Sequence, residues 1–327
     1  MSENVVDVVV VGGGAAGLSA AVVLGRARRE VVVVDSGSPR NAPAAGVHGF
    51  LTRDGISPGE LVAIGRAEAE RYGARVVDGV VADVANDGGG FVVALEDGAT
   101  VRSRRLIVAT GLADELPDVA GLAGRWGRDV VHCPYCHGWE VRDQAIGILA
   151  TGPMATHSAL LFRQLSDDVV LFRHTAPALS DEQAEQMAAR GITVVEGEVV
   201  AVEVEDDRLT GVRLASGEVV ARQAVAVTPK VGARADVLGA LGVKATDWEM
   251  AGHVLGDHVA ADPSGATEIP GVWVAGNVTD PRAQVVAAAA AGVQAAAAVN
   301  ADLIAEETAT AVAALRKSAR RNGNPPA

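Results

Sequence analysis

Cysteine is almost absent from this chain. Among 327 residues there are two, Cys133 and Cys136. Two thiols cannot make a four-cysteine zinc site or a disulfide-rich scaffold. Basic charge is also scarce, with 28 Lys and Arg against 41 Asp and Glu and a net charge of -13. That balance excludes a nucleic-acid partner, which would need clustered Lys and Arg on its phosphates. A signal-peptide pattern is lacking too, because Met1-Ser2-Glu3-Asn4 offers neither a basic nor an apolar region. Cytoplasm is therefore the expected compartment, where thiols stay reduced unless they cycle. Residues 285–304 are long and apolar, but Gly292, Gln294, Asn300 and Asp302 interrupt them and Ala is only weakly hydrophobic. A packed internal helix is expected there, and no membrane partner.

What is present is an ordinary globular composition, 49% hydrophobic and 21% charged. At about 150 residues per domain, the length allows roughly two domains. Residues 5–11 are too continuously apolar for a one-sided strand and suit a buried parallel one. A glycine turn follows, then a helical pattern over 18–28, a strand over 31–34, a helix opened by Ser57-Pro58-Gly59-Glu60, and a turn at Asp97-Gly98. A last strand over 106–109 runs into Thr110-Gly111. The same order recurs: a strand over 145–149, a turn, a helix over 156–165, a strand over 169–172 and a helix over 181–190. Short strands, a Ser216-Gly217 turn and a strand over 224–227 complete the second copy. Two Rossmann-like dinucleotide-binding domains in an α/β chain are implied. Residues 271–276 and the Ala-rich helix after them belong to neither copy and must complete one of them. The second domain is thus expected inside the first, with boundaries 1–116, 117–243 and 244–315, and a disordered tail over 316–327.

Gly12-x-Gly14-x-x-Gly17 follows a strand and opens a helix, and Asp35 lies 18 residues beyond Gly17. The first glycine permits the tight turn, the second lets backbone approach a pyrophosphate, and the third allows close helix–strand packing. The helix N-terminus then attracts the phosphates, and Asp35 accepts from a ribose hydroxyl. The second copy is poorer. Ala150 replaces its first glycine, Pro153 removes a donor, and Phe172-Arg173-His174-Thr175 offers no acid for a ribose. Arg173 alone remains as a partner for a 2′-phosphate, so this turn is expected to hold NADPH weakly or not at all.

His132-Cys133-Pro134-Tyr135-Cys136-His137-Gly138 holds both thiols. A zinc site would need four ligands in tetrahedral reach, and the flanking histidines abut the cysteines. A structural disulfide would close too small a loop to stabilise much. Cys-Pro-Tyr-Cys also occurs in glutaredoxins, which are small single domains. A catalytic dithiol–disulfide pair beside a bound flavin is the reading that remains, with a histidine as base for a thiol.

Over nearly its whole length the chain resembles the low-molecular-weight thioredoxin reductases. The shared features are the first glycine turn, the Ala109-Thr110-Gly111 strand end, the Cys-x-x-Cys of the inserted domain, and Gly271-Val272-Trp273-Val274-Ala275-Gly276. The resemblance implies FAD in the outer domain, Cys136 nearest the flavin ring, Cys133 facing the substrate, and a homodimer. It places Gly12, Gly14, Ala15, Ala16 and Asp35 on the ADP half of FAD, Val81 beside the adenine, and Ala109, Thr110 and Gly111 in the same site. His48, Asn277, Gln284 and Val285 would lie near the flavin or ribityl chain, although His48 also reads as an ordinary loop residue.

Three departures mark a subfamily. His137 stands where the reductases carry Asp, Gly276-Asn277 where they carry Gly-Asp, and the NADPH turn and its basic cluster are degraded. Together these resemble the FAD-dependent dithiol oxidases that close disulfides in natural products of the gliotoxin, holomycin and romidepsin types. The Ala, Val, Gly and Arg richness leans towards the holomycin type. The resemblance implies oxidation of a small-molecule dithiol to an intramolecular disulfide, with O2 as acceptor and H2O2 as product. His137 would be the base, oriented by Asp280, with His132 read as a solvent-facing residue before a tight turn. No metal is expected. Two other readings stay open: a disulfide reductase fed by NADPH or another donor, and a flavin-bound redox sensor.

Overall fold

Val6–Val11 and Val31–Asp35 are β-branched runs without a polar face, and such runs become strands covered on both sides. In the computed structural model, which describes residues 5–250 and 252–321, they pair in parallel with Val8 beside Val31. The sheet continues from Val6–Val11 to Thr100–Val108, Phe91–Leu95 and Val81–Asn86, with Arg75–Asp78 beyond Val31–Asp35 on the opposite edge. Thr100–Val108 starts earlier than the expected 106. Its first four residues, Thr-Val-Arg-Ser, pair antiparallel with Phe91–Leu95 across the Asp97-Gly98 turn. Val272–Val274 adds to this sheet beside Leu106, so the late segment completes the first unit.

A second parallel sheet is built from Thr193–Val195, Val169–Phe172, Ile146–Leu149, Ala224–Val227 and Val130–Val131, in that order. Between the units the chain crosses twice, side by side. Leu112–Glu115 leaves and Lys230–Ala233 returns antiparallel to it, with Leu112 opposite Ala233. The return therefore comes before residue 243. Ala235 and Leu238 already pack with Val259 against the first sheet.

Helix Ala15–Arg26 begins directly after Gly14, three residues ahead of the expected start, and ends before Arg28, whose φ is 63°. Helix Val285–Arg321 is 37 residues long. By length and composition it could cross a membrane, but here it packs along one face, through Ala288, Gly292, Ala295, Val299 and Leu303. Gly292 is needed for that contact, because a Cβ on it would lie 2.0 Å from the Ala16 carbonyl oxygen. Val286, Val293 and Ile304 stay half-exposed on the other face, so the helix is not internal all round as expected. Ion pairs of Arg29 with Glu307 and of Arg105 with Glu306 carry the packing further. Residues 316–321 are helical, not disordered, because the helix simply continues; residues 322–327 lie outside the described residues.

Candidate active site

Each glycine of the first turn meets a different demand. Gly12 has φ 104°, and a Cβ there would lie 2.5 Å from the Ala109 carbonyl oxygen; one on Gly17 would lie 1.8 Å from that of Gly12. Gly14, in contrast, faces open space, with nothing within 4 Å of its Cβ position. The fold requires the first and third glycines, and whatever approaches from the cavity requires the second. Asp35 Oδ1 accepts the Gly13 N–H at 3.0 Å, which fixes the carboxylate at the end of its strand.

This turn opens a cavity of about 1480 Å³. Ordinary ligand pockets hold roughly 300–1,000 Å³, so the space suits an extended dinucleotide with room to spare. Every residue expected at the cofactor site lines it: Gly12, Gly14, Ala15, Ala16 and Asp35 at one end, Val81, Ala109, Thr110 and Gly111 along it, and His48, Asn277, Gln284 and Val285 further on. Cys133, Cys136 and His137 line the same cavity. Some of these side chains are already engaged. Thr110 Oγ1 donates to the Arg234 carbonyl at 2.6 Å, tying the outgoing chain to the returning one. Asn277 Nδ2 donates to the Ala283 and Asp280 carbonyls at 2.8 and 3.0 Å, holding its own loop closed.

Cys133 caps a single helical turn, Pro134–His137, that brings the second sulfur back onto the first. The Cys136 thiol donates to Cys133 Sγ at 2.6 Å. That hydrogen bond, helped by the amides of Tyr135 and Cys136, draws the Cys133 thiol down to about 7, while Cys136 is pushed up. Of the pair, Cys133 is the better leaving group. His137 presents a buried Nε2 with no hydrogen-bond partner. Burial holds it below the ordinary imidazole value, with Glu140 pulling the other way, so it is neutral and free to take a proton at pH 7.

His132 differs from its expected place. It is half-buried on the cavity wall, and its Nδ1 lies 3.2 Å from the Val227 carbonyl oxygen. Asp280 also differs, since its Oδ1 accepts the Arg282 N–H at 3.1 Å within its own loop. The acid beside His137 is Glu140, three residues on, a spacing that sequence reasoning could have used. Arg40 was invisible in sequence, because only folding brings residue 40 to the cysteines. It forks onto Asp114 at 2.6 and 2.8 Å and its charge favours the thiolates of both Cys133 and Cys136.

At the second turn the basic side chains are already engaged. Arg173, expected as the remaining 2′-phosphate partner, is bound to Glu196 and to the Ala176 carbonyl. His174 Nδ1 accepts the Val199 N–H at 3.0 Å. What is left is a hollow of about 210 Å³ between Gly152-Pro153-Met154 and first-unit residues Val254 and Leu255.

Comparison with known proteins places this geometry. Residues 6–295 match the family described as pyridine nucleotide-disulphide oxidoreductase. The chain is 31% identical over 314 residues to the thioredoxin reductase sirT of Leptosphaeria maculans, covering 91% of this chain and 94% of that protein. It is 37% identical over 190 residues to the thioredoxin reductase tcpT of Claviceps purpurea, a match spanning 55% of this chain and only 59% of the relative. Among solved structures, HlmI superposes with a TM-score of 0.88 at 49% identity, covering 98% of each chain. The thioredoxin reductase TrxB of Bacillus anthracis gives 0.85 at 28% identity, covering 92% of this chain and 99% of that one.

Proposed function

The chain belongs to the pyridine nucleotide-disulphide oxidoreductase family, a family of FAD enzymes, and from that premise we propose that it oxidises a small-molecule dithiol to its cyclic disulfide using O2. The observation that carries this reading is His137, which lines the cavity directly after Cys136 and whose buried Nε2 has no hydrogen-bond partner. A reductase must hand a proton to a departing thiolate; a neutral imidazole in this place removes one.

Gly12, Gly14 and the amides opening Ala15–Arg26 would hold the pyrophosphate, with Asp35 on the ribose. Bound FAD supplies a two-electron acceptor that O2 regenerates with release of H2O2. The protein's own residues perform the sulfur chemistry. His137 takes a proton from one substrate thiol, and the thiolate attacks Cys133 Sγ in the Cys133–Cys136 disulfide, breaking the S–S bond. The second substrate thiolate then attacks the substrate sulfur of the mixed disulfide and displaces Cys133. Its low pKa makes that thiolate leave readily. Two electrons now rest on the Cys133–Cys136 pair, which re-forms its disulfide when they pass on. The balance is one dithiol and one O2 to one cyclic disulfide and one H2O2.

The likeness to HlmI, at 49% identity over 98% of both chains, supports a natural-product dithiol as substrate. A homodimer, by resemblance, and a cytoplasmic setting belong to the same proposal. Mixing the enzyme anaerobically with one equivalent of a small dithiol tests the reading: the flavin should bleach and one equivalent of disulfide appear. A flavin that stays oxidised while the dithiol persists would reject it.

A further inference from the structure

The chain passes between the units on two paired strands, Leu112–Glu115 and Lys230–Ala233. A junction that narrow can bend, so further contacts decide whether the cysteines stay in the cavity. One loop of the first unit supplies such contacts: residues 36–57, which join Val31–Asp35 to helix Pro58–Arg71. The loop is closed on itself. Val47 N–H donates to the Ile56 carbonyl at 2.8 Å, and Gly55 N–H donates to the Val47 carbonyl at 2.8 Å. Asp54 Oδ1 accepts the Gly49 N–H at 2.9 Å nearer the tip. At its start the loop grips the crossing strands. Arg40 forks onto Asp114 at 2.6 and 2.8 Å, and Arg234 Nη1 donates to the Ser38 carbonyl at 3.3 Å. Further along it meets the inserted unit twice. Pro43 lies so close to Gly127 that a Cβ there would come within 2.8 Å of it. His48 Nε2 lies 3.3 Å from Glu140 Oε1, while its Nδ1 lies 3.4 Å from Asp54 Oδ2.

Gly127 precedes the two cysteines in the chain and Glu140 follows them, so the loop clasps the Cys133–Cys136 segment at both of its ends. We propose that residues 36–57 are a strap, buckled by His48 on Glu140, that keeps the cysteine pair seated in the cavity throughout turnover. Nothing in the proposed reaction asks the inserted unit to swing away, because the dithiol delivers its electrons at Cys133 itself. The consequence is a rule of size: a small dithiol enters the cavity, whereas a thiol on a folded protein does not reach Cys133. The inference rests on the proposed oxidation of a small dithiol and adds what excludes larger ones. The buckle is partly exposed, with 25% of the His48 side chain and 38% of that of Glu140 accessible. Such a pair shifts an equilibrium by up to about fivefold, so cutting it loosens the strap without abolishing it.

The test reads the thiols of the dithiol-reduced, FAD-loaded enzyme, without oxygen, with two reagents. Iodoacetamide reports what a small molecule can reach; a maleimide coupled to a small folded protein reports what a large one can. The wild type should take up iodoacetamide readily and the coupled maleimide slowly. In Glu140→Gln and in His48→Gln the ratio of coupled-maleimide to iodoacetamide rates should rise by about two- to fivefold. The double variant should rise no further, because either change opens the same buckle. Taking the ratio cancels any change in thiol ionisation that the lost charges cause. Ratios left at the wild-type value in both single variants would overturn the proposal. So would a wild type that takes up the coupled maleimide as readily as free cysteine does. Oxygen uptake by the same wild-type protein, with a small dithiol and with a reduced protein dithiol, separates this inference from the oxidase reading. Uptake with the small dithiol alone is expected. Uptake with both keeps the oxidase reading and overturns the rule of size; uptake with neither overturns the oxidase reading and the rule together.

Discussion

His132 Nδ1 lies 3.2 Å from the Val227 carbonyl, bracing the Cys133 segment against the last strand of the second sheet. The two histidines flanking the cysteines are thereby separated in role: one is engaged by backbone, the other keeps Nε2 free.

Removing them should therefore have unlike consequences. His137→Ala should lower dithiol turnover by about 10²–10⁴-fold and recover partly at high pH, where substrate thiols ionise unaided. His132→Ala should cost about 1 kcal/mol of stability, the worth of one hydrogen bond, with turnover largely kept. Steady-state rates across pH 6–10 with thermal melts check both; exchanged phenotypes would assign the base to His132.

The two sulfurs should also separate chemically. In the dithiol-reduced enzyme, the Cys136 hydrogen bond lowers Cys133 to about 7 and raises Cys136. Iodoacetamide should then label Cys133 first, with a rate that rises through about pH 7 as the thiolate forms. Peptide mass spectrometry reads the ratio, and equal labelling, or Cys136 first, would contradict the assignment.

Much of this was legible beforehand, and the reason is local chemistry. Gly12, Gly14, Gly17 and Asp35 announce themselves by spacing, because a tight turn and a close phosphate leave no other choice of residue. Val169–Phe172 and Ala224–Val227 were visible to the residue, since fully buried parallel strands carry unbroken apolar runs. What escaped depends on distant parts of the chain meeting. Arg40 comes to the cavity of the thiols on a distant loop, and Thr100–Val108 begins with a mixed polar stretch paired across a hairpin. The Lys230–Ala233 return carries no local signal; its partner Leu112–Glu115 lies far back in the chain. Asp280 follows Asn277 closely in sequence, but its carboxylate is engaged within its own loop.

NADPH should be a poor electron donor. Arg173 is committed to Glu196, and Val254 and Leu255 leave only a small hollow at the second turn. Losing two charge-assisted contacts at about 1.5–3 kcal/mol each would weaken binding well over tenfold. In anaerobic stopped-flow, NADPH should reduce the flavin slowly or not at all. Rapid, complete bleaching would favour a reductase.

Helix packing offers a test of the fold. A methyl group at Gly292 would collide with the Ala16 carbonyl in the first turn of helix Ala15–Arg26. Gly292→Ala should cost about 1–3 kcal/mol, the usual range for overpacking, and loosen FAD. Thermal melting followed by flavin fluorescence would show both; an unchanged midpoint would mean the two helices separate freely.

The central claim is that electrons travel from a dithiol through Cys133 and Cys136 to O2. Oxygen uptake in air with a small dithiol and no NADPH measures it most directly, with H2O2 and disulfide quantified in the same sample. The account predicts one O2 consumed and one H2O2 formed per disulfide, abolished in Cys133→Ser. Oxygen uptake no faster than the spontaneous reaction, or uptake that Cys133→Ser leaves intact, would contradict it.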